Sequence, residues 1–101
     1  MSCYFIGEIE VTDNSWARSY IKEVTPMVAR YGGRYLARTP KIDKLEGPRK
    51  APGFCVILEF PSRDAALQFF DSPEYAPYKS ARQAGSVTDS ILVEGEDFKA
   101  R

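Results

Sequence analysis

Glu59 is the one charged residue in an apolar run, Phe54-Cys55-Val56-Ile57-Leu58-Glu59-Phe60, and that isolation makes it the candidate catalytic residue. A carboxyl buried there without a partner would have its pKa raised, which suits a general acid or base. Arg34 follows Gly32-Gly33 and can offer a guanidinium fork to a ligand carboxylate, or to Glu59 or Glu74. Paired with arginine, Glu59 would stay ionised and structural. Tyr35 and Tyr75 can position a ligand through their hydroxyls or stack on its ring. Arg82 can reach the same cleft. Packing competes as the role of each tyrosine, and a plain surface position as that of Arg82. Glu59 as catalytic group, with Arg34, Tyr35, Tyr75 and Arg82 as ligand contacts, is the predicted site, gathered around one cleft.

What the chain lacks narrows the chemistry further. The sequence contains no histidine, which removes the commonest general base, metal ligand and proximal haem ligand. Its two cysteines cannot by themselves make an ordinary structural zinc site. Gly32-Gly33 follows a helical pattern and precedes a strand pattern, the reverse of a dinucleotide-binding fingerprint. The pair reads instead as helix termination with close backbone packing. No metal and no cofactor are expected.

At 101 residues there is room for one domain, and a 44% hydrophobic fraction is enough to build its core. Fourteen basic and fourteen acidic residues cancel, which argues against a general electrostatic hold on nucleic acid or anionic membrane. The opening MSCYFIGEIEV has neither a basic n-region nor a cleavage site and predicts no secretory leader. No apolar run approaches the roughly 20 residues that span a bilayer. Cys3 and Cys55 sit in apolar runs as reduced thiols, so the expected setting is cytoplasmic.

Six elements must position the candidate residues. Cys3 to Val11 alternates as a strand, with Cys3, Phe5, Gly7, Ile9 and Val11 on one face and Tyr4, Ile6, Glu8 and Glu10 on the other. Trp16, Tyr20, Val24, Met27 or Val28, and Tyr31 recur at helical steps behind the capping run Thr12-Asp13-Asn14-Ser15. Pro26 should kink or split that helix. Gly32 suits a left-handed cap before a strand at Arg34 to Arg38, and Ile42 to Leu45 can extend the following hairpin. Phe54 to Phe60 is the strongest strand. Ser62 caps a second helix that Asp71-Ser72-Pro73 interrupts; a short helical piece follows at Glu74 to Ala84, and the last strand runs from Asp89 to Glu94. The order is strand, helix, strand, strand, helix, strand: an α+β, ferredoxin-like βαββαβ fold on a four-stranded antiparallel sheet, filling residues 1 to 101 with its core at about 3 to 95.

Helices can cover only one face of such a sheet. The first and third strands carry apolar side chains on both faces, and leaving the second face wet would expose a patch unusual for a monomer. Pairing with a second copy, sheet to sheet, is the simplest cover. RNA-recognition motifs share the topology and stack bases on the first and third strands. Tyr4 to Ile9 resembles their first-strand signature. The third strand departs from theirs, with Pro52, Val56 and Glu59 where a basic residue and aromatics are expected, and no nucleic-acid partner is predicted.

With the elements in this order, the chain resembles a bacterial family, the domain of unknown function 1330 family. The resemblance rests on Tyr4-Phe5-Ile6, Val11-Thr12-Asp13, Tyr31-Gly32-Gly33-Arg34-Tyr35-Leu36 and Leu58-Glu59-Phe60-Pro61-Ser62. It continues through Phe69-Phe70-Asp71-Ser72-Pro73-Glu74-Tyr75, Arg82 and Leu92-Val93-Glu94-Gly95, and is loosest between Lys41 and Pro52. It implies a dimeric α/β-barrel, two sheets closed face to face. It implies no activity, since the wider superfamily holds monooxygenases, isomerases, dehydratases and haem proteins alike.

Two functions from different classes remain open. One is a cofactor-free enzyme acting on a small organic acid or phenolic compound in a cleft between sheet and helices. The other is a non-catalytic dimeric module that binds a small anionic or aromatic metabolite or a protein partner.

Overall fold

The structure, a computed structural model, describes residues 1–100. Its elements are β1 (Cys3–Val11), α1 (Ala17–Arg30), β2 (Arg34–Thr39), β3 (Phe54–Phe60), α2 (Arg63–Phe70), α3 (Ala76–Ala84) and β4 (Ser86–Glu94), with single 3-10 turns at Asn14–Trp16 and Phe98–Ala100. The strands form one antiparallel sheet in the order β2-β3-β1-β4, as expected of a ferredoxin-like chain. The helices lie on one side only. The molecule is a slab of 45 × 35 × 17 Å, thick enough for one sheet and one helical layer.

Strand register settles the faces. Cys3, Phe5, Gly7 and Ile9 stand opposite Phe60, Leu58, Val56 and Phe54, so these side chains share the helix side. Tyr4, Ile6 and Glu8 stand opposite Glu59, Ile57 and Cys55 on the uncovered side. The two thiols therefore point to opposite faces, and both are free. The alternation read from sequence holds in β1 and β3, whereas β2 shifts register between Tyr35 and Ala37. β4 starts three residues earlier than expected, because Ser86, Val87 and Thr88 still find partners in Val11, Glu10 and Ile9.

The core forms where α1 and α2 meet the sheet: Val24, Met27, Val28, Leu58, Phe60, Ala66, Phe69 and Tyr75 are all buried. The 3-10 turn that leads into α1 is capped by Asp13, whose carboxylate accepts from the Ser15 amide at 2.9 Å. That bond holds the Asp13 carboxyl below its ordinary range. Pro26 does not split the helix, which runs unbroken from Ala17 to Arg30. Pro26 is exposed, so the carbonyl it leaves without an amide partner lies on the solvent side. Gly32 takes φ +82°, the left-handed cap the sequence implied. Gly33 is needed for closeness, since a Cβ there would stand 2.6 Å from the Phe60 ring. Ser62 caps α2 by accepting from the Ala65 amide at 3.0 Å. The expected strand extension at Ile42 to Leu45 does not form. β2 ends at Thr39, and the connection instead crosses toward β1, where Arg49 meets Glu8 at 3.4 Å.

Candidate functional site

A cavity of about 200 Å³ lies between the sheet and the helices. Its floor is Phe5, Gly7, Ile9, Phe54, Val56 and Leu58, the helix-side residues of β1 and β3. Trp16, Tyr20, Val24 and Val28 wall it from α1 and the turn before it. Val11, Ile21 and Arg38 line it while remaining exposed, and so mark its mouth. Nearly all of this surface is apolar.

The exception is a polar corner formed by Tyr20, Tyr75 and Arg82. The Tyr20 and Tyr75 hydroxyls lie 2.5 Å apart, and either oxygen can carry the shared proton. The Arg82 guanidinium stands beside the Tyr20 hydroxyl, and its positive charge offsets part of the effect of burial there. Burial pushes the Tyr20 hydroxyl far above the ordinary phenol value, with Tyr75 adding to the rise. Burial likewise raises Tyr35, which stands at the cavity wall under the Arg38 guanidinium, 3.9 Å from its ring centre.

Local structure fixes this corner. Ser72 donates to the Phe69 carbonyl at 2.8 Å and accepts from the Tyr75 amide at 3.3 Å, so the break between α2 and α3 turns Tyr75 inward. The Tyr75 ring then packs on Phe69, centroids 4.4 Å apart. Arg82 sits in the last turn of α3, where the Ser86 hydroxyl donates to its carbonyl at 2.5 Å. Trp16 is held by its indole N–H, which donates to the Gly85 carbonyl at 3.1 Å. Arg82 is only 5% exposed. The ion pairs among the described residues are Arg30–Glu74, Arg34–Glu59 and Arg49–Glu8, and Arg82 is in none of them.

The five residues singled out from sequence do not converge on one cleft. Tyr35, Tyr75 and Arg82 line the cavity, whereas Arg34 and Glu59 pair with one another across β2 and β3 on the uncovered face, Nε to Oε1 2.7 Å. The reason is the strand repeat: Arg34 and Tyr35 are neighbours in β2 and must point to opposite sides. Glu59 is not a stranded buried acid. The Arg34 hydrogen bond, joined by one from the Tyr4 hydroxyl, holds its carboxyl below the ordinary range, the opposite of a poised general acid. Sequence reading missed Tyr20, Trp16 and Arg38. Tyr20 was counted only as part of an apolar helix stripe, although a buried tyrosine hydroxyl needs a partner and could have signalled the polar corner.

Arg34→Ala is expected to lower the melting temperature only slightly, because Arg34 is largely exposed. A carboxyl with a depressed folded-state pKa stabilises above its ordinary value and loses that contribution as pH falls through the depressed one. The gap between wild type and Arg34→Ala in thermal unfolding should therefore close on acidification. A gap that widens would refute this assignment.

The uncovered face is a different surface. Ile57, Ile6 and Ile91 stand side by side across β3, β1 and β4. Val87, Ile91 and Val93 are 65%, 59% and 40% exposed. Tyr4 is the one aromatic that β1, β3 and β4 place on this face, amid Glu8, Glu10, Glu59 and Asp89. Bases would find no stacking platform there. Among the described residues no three His, Cys, Asp or Glu side chains gather as a metal ion would require, and no helix is long and apolar enough to cross a membrane.

Fold and site together define a ferredoxin-like α+β protein with an apolar cavity under its helices and an open sheet face. The chain belongs to the family described as domain of unknown function (DUF1330), whose profile matches residues 2–96. No curated protein is significantly similar to it. Among solved structures, a protein of unknown function from Rhodopseudomonas palustris superposes with a TM-score of 0.79 at 18% identity, covering 95% of this chain and 83% of that one. SnoaB, a cofactor-independent oxygenase from Streptomyces nogalater, superposes at 0.67 with 18% identity, covering 95% and 94%. An antibiotic biosynthesis monooxygenase superposes at 0.60 with 15% identity, covering 96% and 100%. At these identities the likeness establishes the fold.

Proposed function

We propose that the protein is a cofactor-free enzyme that converts a small organic acid or phenolic compound in the cavity between sheet and helices, and that it works as a homodimer joined through its open sheet faces. The observation that carries the first part is the cavity itself: an apolar chamber with one polar corner, the arrangement by which small-molecule sites bind and orient. Tyr75 and Arg82 hold the ligand's polar group, and Tyr35 forms part of the wall. Two neighbours named as an oxygenase and a monooxygenase, the former cofactor-independent, support the enzymatic reading. The exposed Val87, Ile91 and Val93 support the dimer, because a second sheet would bury them. Free Cys3 and Cys55 fit a reducing, cytoplasmic setting.

Incubation of the protein with a panel of small organic acids and phenols under air, followed by mass spectrometry, tests the enzymatic part. Product should accumulate equally with and without a metal chelator and fail to accumulate with Arg82→Met. Compounds that bind and are recovered unchanged would leave the second reading, a non-catalytic dimeric binding module. One observation favours that alternative. The cavity is lined by no carboxylate and no histidine, and burial pushes its Tyr20 and Tyr35 hydroxyls further from neutrality, so it offers no group poised to move a proton at neutral pH.

A further inference from the structure

The charge balance of the cavity is one-sided. Its titratable lining groups are Tyr20 from α1, Tyr35 and Arg38 from β2, Tyr75 ahead of α3 and Arg82 from α3; β1, β3 and β4 contribute none. Both permanent charges are positive. Arg38 at the mouth is exposed and engaged with Thr25 at 2.7 Å, so water screens it. Arg82 is buried, and no carboxylate among the described residues neutralises it. A buried ion is costly unless it is paired, so the missing counter-charge is the ligand's to supply.

Volume limits the rest of that ligand. A cavity of about 150 Å³ accommodates benzene. At about 200 Å³ this one takes a ring with an acidic substituent and is too small for three fused rings. The ring would meet Phe5, Phe69 and the Tyr75 face, an aromatic wall suited to offset or edge contacts.

We infer that the cavity selects a single-ring aromatic anion, with its carboxylate or phenolate oxygen on the Arg82 guanidinium beside the Tyr20–Tyr75 hydroxyl pair. The inference rests on the cavity of the preceding reading but not on turnover. Carboxylate and phenolate share the chemistry that Arg82 recognises, a charged oxygen that accepts its N–H groups.

Isothermal titration of the wild-type protein with benzoate, 4-nitrophenolate, benzamide and anthracene-2-carboxylate tests it, and quenching of Trp16, the sequence's single tryptophan, gives a second signal. Benzoate or 4-nitrophenolate should bind at least about tenfold tighter than neutral benzamide, and the tighter of the two identifies the acid. Arg82→Met should bring the acids to parity with benzamide, while Arg82→Lys keeps part of the preference. Benzamide matching both acids in wild type would overturn the inference without need of any variant. So would a three-ring acid that binds tighter than benzoate, an acid preference that survives in folded Arg82→Met, or binding of none of the four. Selective binding without conversion of any ligand would uphold the inference and retire only the enzymatic reading.

Discussion

Replacing Arg82 with methionine is expected to raise the stability of the ligand-free protein by about 1–4 kcal/mol, the range seen when buried ionic groups give way to well-packed apolar side chains. In a domain of this size each kcal/mol shifts the melting temperature by about 4–8 °C. The direction follows from the burial of the guanidinium and its lack of an ion pair among the described residues. Methionine is long, unbranched and adaptable enough to follow the arginine stem along the same path. The same substitution removes the anion receptor, so stability should rise while acid binding disappears. Such opposition marks a residue retained for function at the fold's expense. Thermal unfolding without ligand checks it, and a loss of several kcal/mol would show that Arg82 holds the fold together instead.

Ile91→Asp is expected to convert the proposed dimer to a folded monomer. Ile91 ends the Ile57–Ile6–Ile91 band across the uncovered face and is 59% exposed in the single chain, so the substitution leaves the core untouched. A two-fold interface would bring the change in twice. If each copy costs about 2 kcal/mol, the threshold of an interface hot spot, the pair weakens association by about a thousandfold. Sedimentation at micromolar concentration should show wild type at twice the chain mass and Ile91→Asp at once. A wild type that already sediments as a monomer removes the dimer. Phe5 and Val56, which also sit in two-faced apolar strands, are unsuitable test positions because both face the helices.

Much of this fold was written in local pattern. The alternation of Cys3 to Val11 and Phe54 to Phe60 sorted side chains into two faces, because a strand's side-chain period is two whatever it packs against. The stripe from Tyr20 to Tyr31 marked α1, Ser62 marked the start of α2, and Gly32-Gly33 marked the turn into β2. Apolar residues on both faces of two strands announced that one sheet face would be left uncovered. Motif order carried the family.

The site was another matter, since it depends on which residues distant in sequence share a side. Arg34 and Glu59 were rightly brought together, because an antiparallel hairpin aligns their strands, yet they lie on the wrong face for the cavity. Tyr35 belongs to the cavity for the same reason that Arg34 does not. The Tyr20–Tyr75 hydroxyl pair joins positions 55 residues apart, and no spacing rule links them. Nor could sequence tell that Arg82 would be buried, since an arginine on a short polar helix is ordinarily exposed. That burial follows from the packing of α3 against β4 and the turn at Asn14–Trp16. Local periodicity determined which face each residue of β1 and β3 takes; only tertiary packing determined that one face would enclose a chamber with an unneutralised arginine in it.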